Sequence, residues 1–186
     1  MNIGFALTGS YCTYAQSFPI LELLSRDHNV TPIFSINAAN TDTRFGSAED
    51  HLTLARELTG KDAMITIPQA EPIGPKGLFD ILIIAPCTGN TLAKISHGIA
   101  DTPVTMAAKS QLRNGRPVLL AIATNDGLSG AAENIGRLLN RKNIYFVPFG
   151  QDDPIGKPTS LISDFGLIPL AAEDAAKGIQ HQPILL

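Results

Sequence analysis

Hydroxyl, amide and glycine residues gather in four short segments of the sequence, each directly after an apolar run. The segments are residues 8–12, 35–37, 86–91 and 124–127. Backbone N–H groups at a strand-to-helix turn, helped by hydroxyls, can hold a phosphate. Uncharged donors such as an asparagine amide can hold the edge of a heteroaromatic ring. The pattern indicates a site for a phosphorylated, ring-bearing small molecule, with ordinary turn and capping chemistry as the alternative for each segment.

The nucleotide-binding motifs that would narrow this prediction are missing. The dinucleotide fingerprint G-x-G-x-x-G and the Walker motif are both absent. The second strand ends in Ser35 and Asn37 rather than in the acidic residue that would bind a ribose hydroxyl. A mononucleotide phosphate, held by backbone amides and by the hydroxyls of Ser10 and Ser35, is therefore the prediction from the residues themselves.

The cysteines and the one acidic pair beside a proline do not form a recognisable catalytic set. Cys12 and Cys87 have no neighbouring histidine and base, so we predict that both pack in the interior and that the chain holds no metal. Asp152 and Asp153 precede Pro154 and are interpreted as turn carboxylates, with the positioning of a partner as the alternative.

Composition limits the class of protein. The chain has 186 residues, of which 44% are hydrophobic and 17% are charged, against a usual charged share of about 25%. We expect one domain over residues 1–186, with buried faces between subunits. The net charge of −3 and the scattered cations argue against nucleic acid as a partner. No apolar run approaches the ~20 residues that span a bilayer, so we expect a cytoplasmic protein.

The elements that position the four segments follow from the apolar pattern. Strands are predicted at residues 2–7, 30–36, 63–67, 80–85, 117–123 and 144–149, and helices at 14–26, 47–59, 92–97, 103–113, 129–140 and 170–179. This alternation is typical of an α/β fold with a three-layer, doubly wound parallel sheet. Ligands of such sheets bind at the carboxyl ends of the strands, which is where the four segments lie.

Local signals refine the pattern. Thr13 with Gln16, and Ser47 with Asp50, have capping-box spacing. Pro32 predicts an edge position for its strand. Residues 68–77 are rich in proline and glycine and are expected to form an ordered loop.

Residues 85–95 and 98–101 resemble the signature of the flavoprotein family that contains the homo-oligomeric flavin-dependent cysteine decarboxylases. The family pattern is P-x-S-A-N-T-x-A-K with a downstream G-x-A-D, and this chain has PCTGNTLAK and GIAD. The resemblance implies a Rossmann-like, flavodoxin-type fold that binds FMN between subunits of a trimer or an assembly of trimers. Carried over by position, the implied cofactor-binding residues are Gly9, Ser10, Ser35, Thr88, Gly89, Asn90 and Thr91, and the implied catalytic residues are Asn90 and Asn125.

A second segment resembles one branch of this family. Residues 143–154, with the sequence NIYFVPFGQDDP, point to the branch whose members oxidise dihydrodipicolinate to dipicolinate in the mother cell during sporulation. The resemblance implies that the chain works with a different, NADP-using partner subunit. Since the substrate is a dianion, it needs cationic contacts. Arg44, Lys94 and Lys109 are the candidates, with solvated surface charge as the alternative for each.

Two other functions stay open. The family's decarboxylases carry a P-x-M-N-x-x-M-W clamp, of which this chain keeps only Asn125, and residues 69–74 lack their catalytic histidine. These departures count against an FMN-dependent decarboxylase. A non-catalytic protein that only stabilises the NADP-using partner is the third hypothesis.

Overall fold

The computed structural model describes residues 1–186 and shows a sheet with helices on both faces. The strands are β1 (Asn2–Leu7), β2 (Asn29–Phe34), β3 (Ile81–Cys87), β4 (Val118–Thr124), β5 (Ile144–Phe146), β6 (Phe149–Gly150) and β7 (Leu161–Ser163). The helices are α1 (Tyr14–Asp27), α2 (Ile36–Asn40), α3 (Ala48–Thr59), α4 (Ile67–Ala70), α5 (Ile73–Lys76), α6 (Gly89–Ser96), α7 (Pro103–Arg113), α8 (Ala132–Leu139) and α9 (Ile168–Ala176). No helix combines the length and the apolar character that crossing a bilayer requires.

Five strands run parallel in the order β2-β1-β3-β4-β5, which is the flavodoxin-type order. The outer edge of β4 is shared between two partners. Its first half pairs with β5, and its last residues, Ala123 and Thr124, pair antiparallel with β7. A short antiparallel extension, β7 with β6, therefore lies beside the carboxyl end of the sheet.

Both faces of the sheet are covered, as continuous apolar strands predict. One apolar cluster joins the sheet to α1, α2, α3 and α9, and the other joins it to α4 through α8. Successive residues of β3 alternate between the two clusters: Ile81 and Ile83 belong to the first, Leu82 and Ile84 to the second. The predicted three-layer, doubly wound α/β fold is confirmed.

Several local predictions are also confirmed. Pro32 lies in the edge strand β2, and its carbonyl accepts from the N–H of Met64 on the outer side (2.9 Å). Because the N–H and C=O groups of one strand residue point the same way, the N–H that proline lacks would have faced outward too. The Ser47–Asp50 capping box forms, and Thr102 caps α7 ahead of Pro103.

Other local predictions are wrong. Residues 63–67 do not form a strand, because only Met64 bridges to Ile33 before the chain turns into α4. Residues 68–77 carry most of α4 and the whole of α5 rather than only a loop. The chain also enters α2 directly after Ser35, and the strand predicted at 144–149 breaks between β5 and β6.

The capping box predicted at Thr13 does not form either. A 3₁₀ turn, Tyr11–Thr13, leads into α1. The Thr13 hydroxyl donates to the carbonyl of Ser10 (2.7 Å) instead of capping the helix.

Replacing Ile83 with alanine tests the central layer. Ile83 is fully buried between the two helical layers, whereas Ile155 is 96% exposed. We expect Ile83→Ala to lower the free energy of unfolding by about 2–5 kcal/mol, because the cavity that it leaves is only partly refilled. Ile155→Ala removes the same atoms from solvent and should change stability by less than about 0.5 kcal/mol. Urea unfolding measures both, and equal losses would contradict this account of the core.

Candidate functional site

The strand order reverses between β1 and β3, so the turns after these two strands diverge and leave a crevice at the carboxyl edge. Such a switch point is where open α/β sheets bind ligands. Residues 8–12 follow β1, and residues 88–91 begin α6 after β3. Two of the four polar segments of the sequence are therefore brought face to face.

The buried hydroxyl of Thr8 joins the two sides of this crevice. It donates to the carbonyl of Pro86 (2.7 Å) and accepts from the N–H of Thr88 (3.2 Å). The phenol of Tyr14 donates in turn to the carbonyl of Thr8 (3.0 Å). Burial raises the pKa of Tyr14, so the phenol stays protonated and keeps its donor role.

The end of β3 is shaped by an irregularity in its pairing with β4. Ile84 pairs with Leu120 and Cys87 with Ile122, so Ala85 and Pro86 lie opposite a single residue. A bulge of this kind bends the strand and redirects the side chains that follow. Thr88 then caps α6, since its Oγ1 accepts from the N–H of Thr91 (3.3 Å). The capping alternative for Thr88 is thus confirmed.

A first cavity, here named the switch-point cavity, lies over the crevice and has a volume of about 360 Å³. It is lined almost entirely by polar groups. The predicted site residues that line it are Gly9, Ser35, Thr88, Asn90 and Thr91, and Asn37, Lys94, Asp101 and Thr102 complete it. The first amides of α6 have no acceptor within the helix and can serve a ligand there.

A second cavity, the outer cavity, has a volume of about 330 Å³ and shares Gly9 and Thr88 with the first. Tyr11, Phe45 and Ala123 give it an apolar and aromatic wall. Ser10 and Asn125 supply predicted site residues to it. The two cavities therefore adjoin along the line between Gly9 and Thr88, one polar and one partly aromatic.

Asn90 and Asn125, the two implied catalytic residues, open onto different cavities. Both are exposed, and neither side-chain amide makes a hydrogen bond within the chain. Each amide is thus free to meet a ligand without breaking an internal contact.

Gly89 lines neither cavity. A Cβ at this position would lie 2.7 Å from Oγ1 of Thr124 and 2.7 Å from Oδ1 of Asp126, which form a hydrogen bond with each other. The close approach of α6 to the loop after β4 therefore requires glycine here, a packing reason that is independent of any cofactor.

The three cationic candidates have different surroundings. Nζ of Lys94 lies 2.9 Å from both carboxylate oxygens of Asp101, so its charge is compensated inside the switch-point cavity. Arg44 has no carboxylate partner; its guanidinium lies over the ring of Phe45, 4.8 Å from the centroid, beside the outer cavity. Lys109 lines a separate cavity on the other side of α6 and α7, so its proximity to the site is a wrong prediction.

The cysteine and turn predictions divide in the same way. Cys87 is buried, and burial raises the pKa of its thiol, as expected for a packing residue. Cys12 is exposed and lines the outer cavity, so the prediction that it packs in the interior is wrong. Asp153 accepts from the N–H of Gly156 (2.8 Å) and Asp152 pairs with Lys157 (3.2 Å), which confirms the turn interpretation.

Sequence reasoning missed part of the site. The Lys94–Asp101 pair needed the return of the chain after α6, and its only sequence signal was the family motif that contains both residues. Tyr11 and Phe45 carried no signal, because a single aromatic residue in a loop is compatible with many surroundings.

Comparison with known proteins decides the family. The model described as Flavoprotein matches residues 1–167. The chain belongs to the flavoprotein family. The resemblance predicted from residues 85–101 is therefore confirmed.

Two relatives of this flavoprotein, both the dipicolinate synthase component designated B, match along its length. The one from Bacillus subtilis (strain 168) is 46% identical over 186 residues, which is the whole of this chain and 93% of the relative. The crystal structure of the one from Bacillus halodurans has a TM-score of 0.91 and 43% identity, covering 99% of this chain and 95% of that one.

A more distant structure shows the fold alone. The FMN-dependent cysteine decarboxylase SpaF has a TM-score of 0.67 and 20% identity, covering 95% of this chain and 97% of its own. The flavoprotein fold thus extends well beyond the relatives with high sequence identity.

Replacing Thr8 with valine tests the link across the crevice. Valine keeps the shape but leaves the carbonyl of Pro86 and the N–H of Thr88 without partners. We expect a loss of about 1–3 kcal/mol in the free energy of unfolding, measured by urea titration. Thr8→Ser keeps the hydroxyl and should retain most of the stability. If the serine variant lost as much as the valine variant, the hydroxyl would not be the linking group.

Proposed function

We propose that this flavoprotein binds FMN across the two adjoining cavities and takes part in the oxidation of dihydrodipicolinate to dipicolinate. It would act there with the other dipicolinate synthase component, designated A, which uses NADP. By resemblance, the setting is the mother-cell cytoplasm of a sporulating bacterium. The observation that carries the proposal is the polar switch-point cavity, with the free amide of Asn90, in a chain 46% identical over its length to the Bacillus subtilis relative.

The donor sets of the two cavities fit the two ends of FMN. The switch-point cavity offers hydroxyls of Ser35, Thr88 and Thr91, which suit a phosphate and a polyhydroxyl chain. The outer cavity offers the aromatic rings of Tyr11 and Phe45, which suit a planar heteroaromatic ring. Gly9 and Thr88 line both cavities, so one ligand can extend from one into the other.

The reaction removes two electrons and two protons from the dihydropyridine ring as it becomes aromatic. When bound, FMN supplies a two-electron acceptor, and the protein supplies binding, orientation and electrostatics. Asn125 can orient the substrate ring through its free amide, and Arg44 can pair with a substrate carboxylate, because its own charge has no carboxylate partner. Lys94 contributes less, since Asp101 already compensates its charge.

A homo-oligomer completes the proposal. Phe45 is 45% exposed at the rim of the outer cavity, and Ile36 is 47% exposed at the rim of the switch-point cavity. We propose that a second copy of this chain covers these apolar side chains, in a trimer or an assembly of trimers, and so excludes water from the flavin.

Replacing Asn90 with alanine tests the cofactor part of the proposal. We expect FMN to bind about tenfold more weakly, because one hydrogen bond to a polar ligand is lost, while the stability of the chain stays unchanged. Asn140→Ala is the matched control, since Asn140 is exposed and lies outside both cavities. FMN titration followed by flavin absorbance measures the affinity. A purified protein with no flavin absorbance that also takes up no added FMN would refute the proposal.

Mixing the chain with its NADP-dependent partner tests the oxidation. We expect Arg44→Gln to raise the KM for dihydrodipicolinate about tenfold, because a charge-assisted contact to a carboxylate is lost. Asn90→Ala should lower the rate at FMN concentrations that saturate the unmodified chain. Formation of dipicolinate is followed by its absorbance, with Asn140→Ala as the control. A chain that only stabilises its partner would support full synthesis with both variants.

A further inference from the structure

A third cavity, here named the basic cavity, lies between α6, α7 and the segment that leads into β5. Its volume of about 460 Å³ is larger than that of either cavity described above. Its apolar side chains are Ile95, Ile99, Ala108 and Leu112. A cavity of this size with apolar walls is within the range that binds small molecules, ~300–1,000 Å³.

Four cations surround this apolar lining: Lys109, Arg113, Arg141 and Lys142. No acidic residue lines the cavity. Of the fourteen lysine and arginine residues in the chain, seven pair with a carboxylate. Four of the remaining ones are gathered here, so the uncompensated positive charge of this acidic protein is concentrated at one concave surface.

The four side chains differ in how firmly they are held. Nη1 of Arg141 donates to the carbonyl of Ile95 (2.9 Å), which fixes the guanidinium at the edge of the cavity and leaves its other N–H groups free. Lys109, Arg113 and Lys142 are exposed and make no side-chain hydrogen bond within the chain. One cation is thus positioned in advance, and three can adjust to a ligand.

Helix dipoles explain part of this arrangement but not all of it. Arg113 ends α7, and Arg141 follows the end of α8, where a cation is favoured by ~0.3–1 kcal/mol. That effect makes each cation tolerable at its own position. It does not account for an apolar cavity enclosed by four like charges with no counter-charge, where field lines of one sign are focused on the space between them.

We infer that the basic cavity is a second binding site, for a small molecule with an aromatic or apolar body and at least two anionic groups. Aromatic dicarboxylates and nucleotide phosphates share this chemistry. The site is separate from the proposed FMN site but adjoins it through α6 and the start of α7. Lys94 and Thr102 line the switch-point cavity, whereas their neighbours Ile95 and Thr105 line the basic cavity.

Calorimetric titration of the full chain, with no FMN added, tests this inference with three probes: dipicolinate, adenosine 2′,5′-bisphosphate and inorganic phosphate. We expect at least one aromatic dianion to bind ten or more times more tightly than inorganic phosphate, which has no apolar body. Its affinity should fall at least tenfold in the double variant Lys109→Gln/Arg113→Gln. The affinity should also fall as ionic strength rises.

Control variants separate this site from the proposed FMN and substrate site. Lys177→Gln, on the opposite face of the sheet, and Arg44→Gln, beside the outer cavity, should leave the affinity unchanged. The double variant should unfold at the same urea concentration as the unmodified chain and take up FMN normally. Because Lys109 and Arg113 are exposed, the double variant is expected to fold.

Two results would overturn the inference. One is that neither aromatic dianion binds more tightly than inorganic phosphate. The other is tight binding that survives Lys109→Gln/Arg113→Gln, or that is lost with Arg44→Gln instead, which would place the ligand in the outer cavity. Failure of FMN uptake in the unmodified chain would refute the proposed function alone and leave this inference standing.

Discussion

The hydroxyl of Thr8 is the contact on which the site depends, because it joins the two strands between which the crevice opens. It accepts from the N–H of Thr88 at the start of α6 and donates to the carbonyl that ends the irregular part of β3. Thr8 and Thr88 line the switch-point cavity, and Thr88 lines the outer cavity as well. One buried group therefore sets the spacing between the turn after β1 and the amides of α6. A buried hydroxyl can do this only when both of its neighbours satisfy it, as they do here.

Charge is distributed unevenly over the two sides of α6. In the switch-point cavity the one cation, Lys94, is balanced by Asp101, and the other lining groups are neutral donors and acceptors. In the basic cavity four cations have no acidic neighbour. A neutral, donor-rich site suits a cofactor held mainly by hydrogen bonds, whereas an uncompensated one attracts anions over a longer distance. The low charged share of the sequence thus conceals a local excess that average composition cannot reveal.

The strands that are buried on both faces, β1, β3 and β4, were predictable within a residue or two because their apolar runs leave no other location for them. Short elements were not. The segment 63–67 has strand-like residues, but it supplies only one bridge at Met64. The capping box that starts α4, Thr66 with Gln69, was present in the sequence and could have indicated a helix there. At Thr13 the opposite happened, since tertiary context produced a 3₁₀ turn where the spacing favoured a cap.

By itself, the sequence determined the alternation of strands and helices, the caps formed by residues three apart, and membership of the flavoprotein family through the motif at residues 85–101. All of these depend on neighbours along the chain, where covalent spacing fixes the geometry. Only the tertiary structure decided the pairing of Thr8 with Pro86, the opening of Asn90 and Asn125 onto different cavities, and the removal of Lys109 to a separate one. Those outcomes depend on strand order and on how tightly helices pack against the sheet. Both are set by burial of the whole core, which no local stretch of residues specifies.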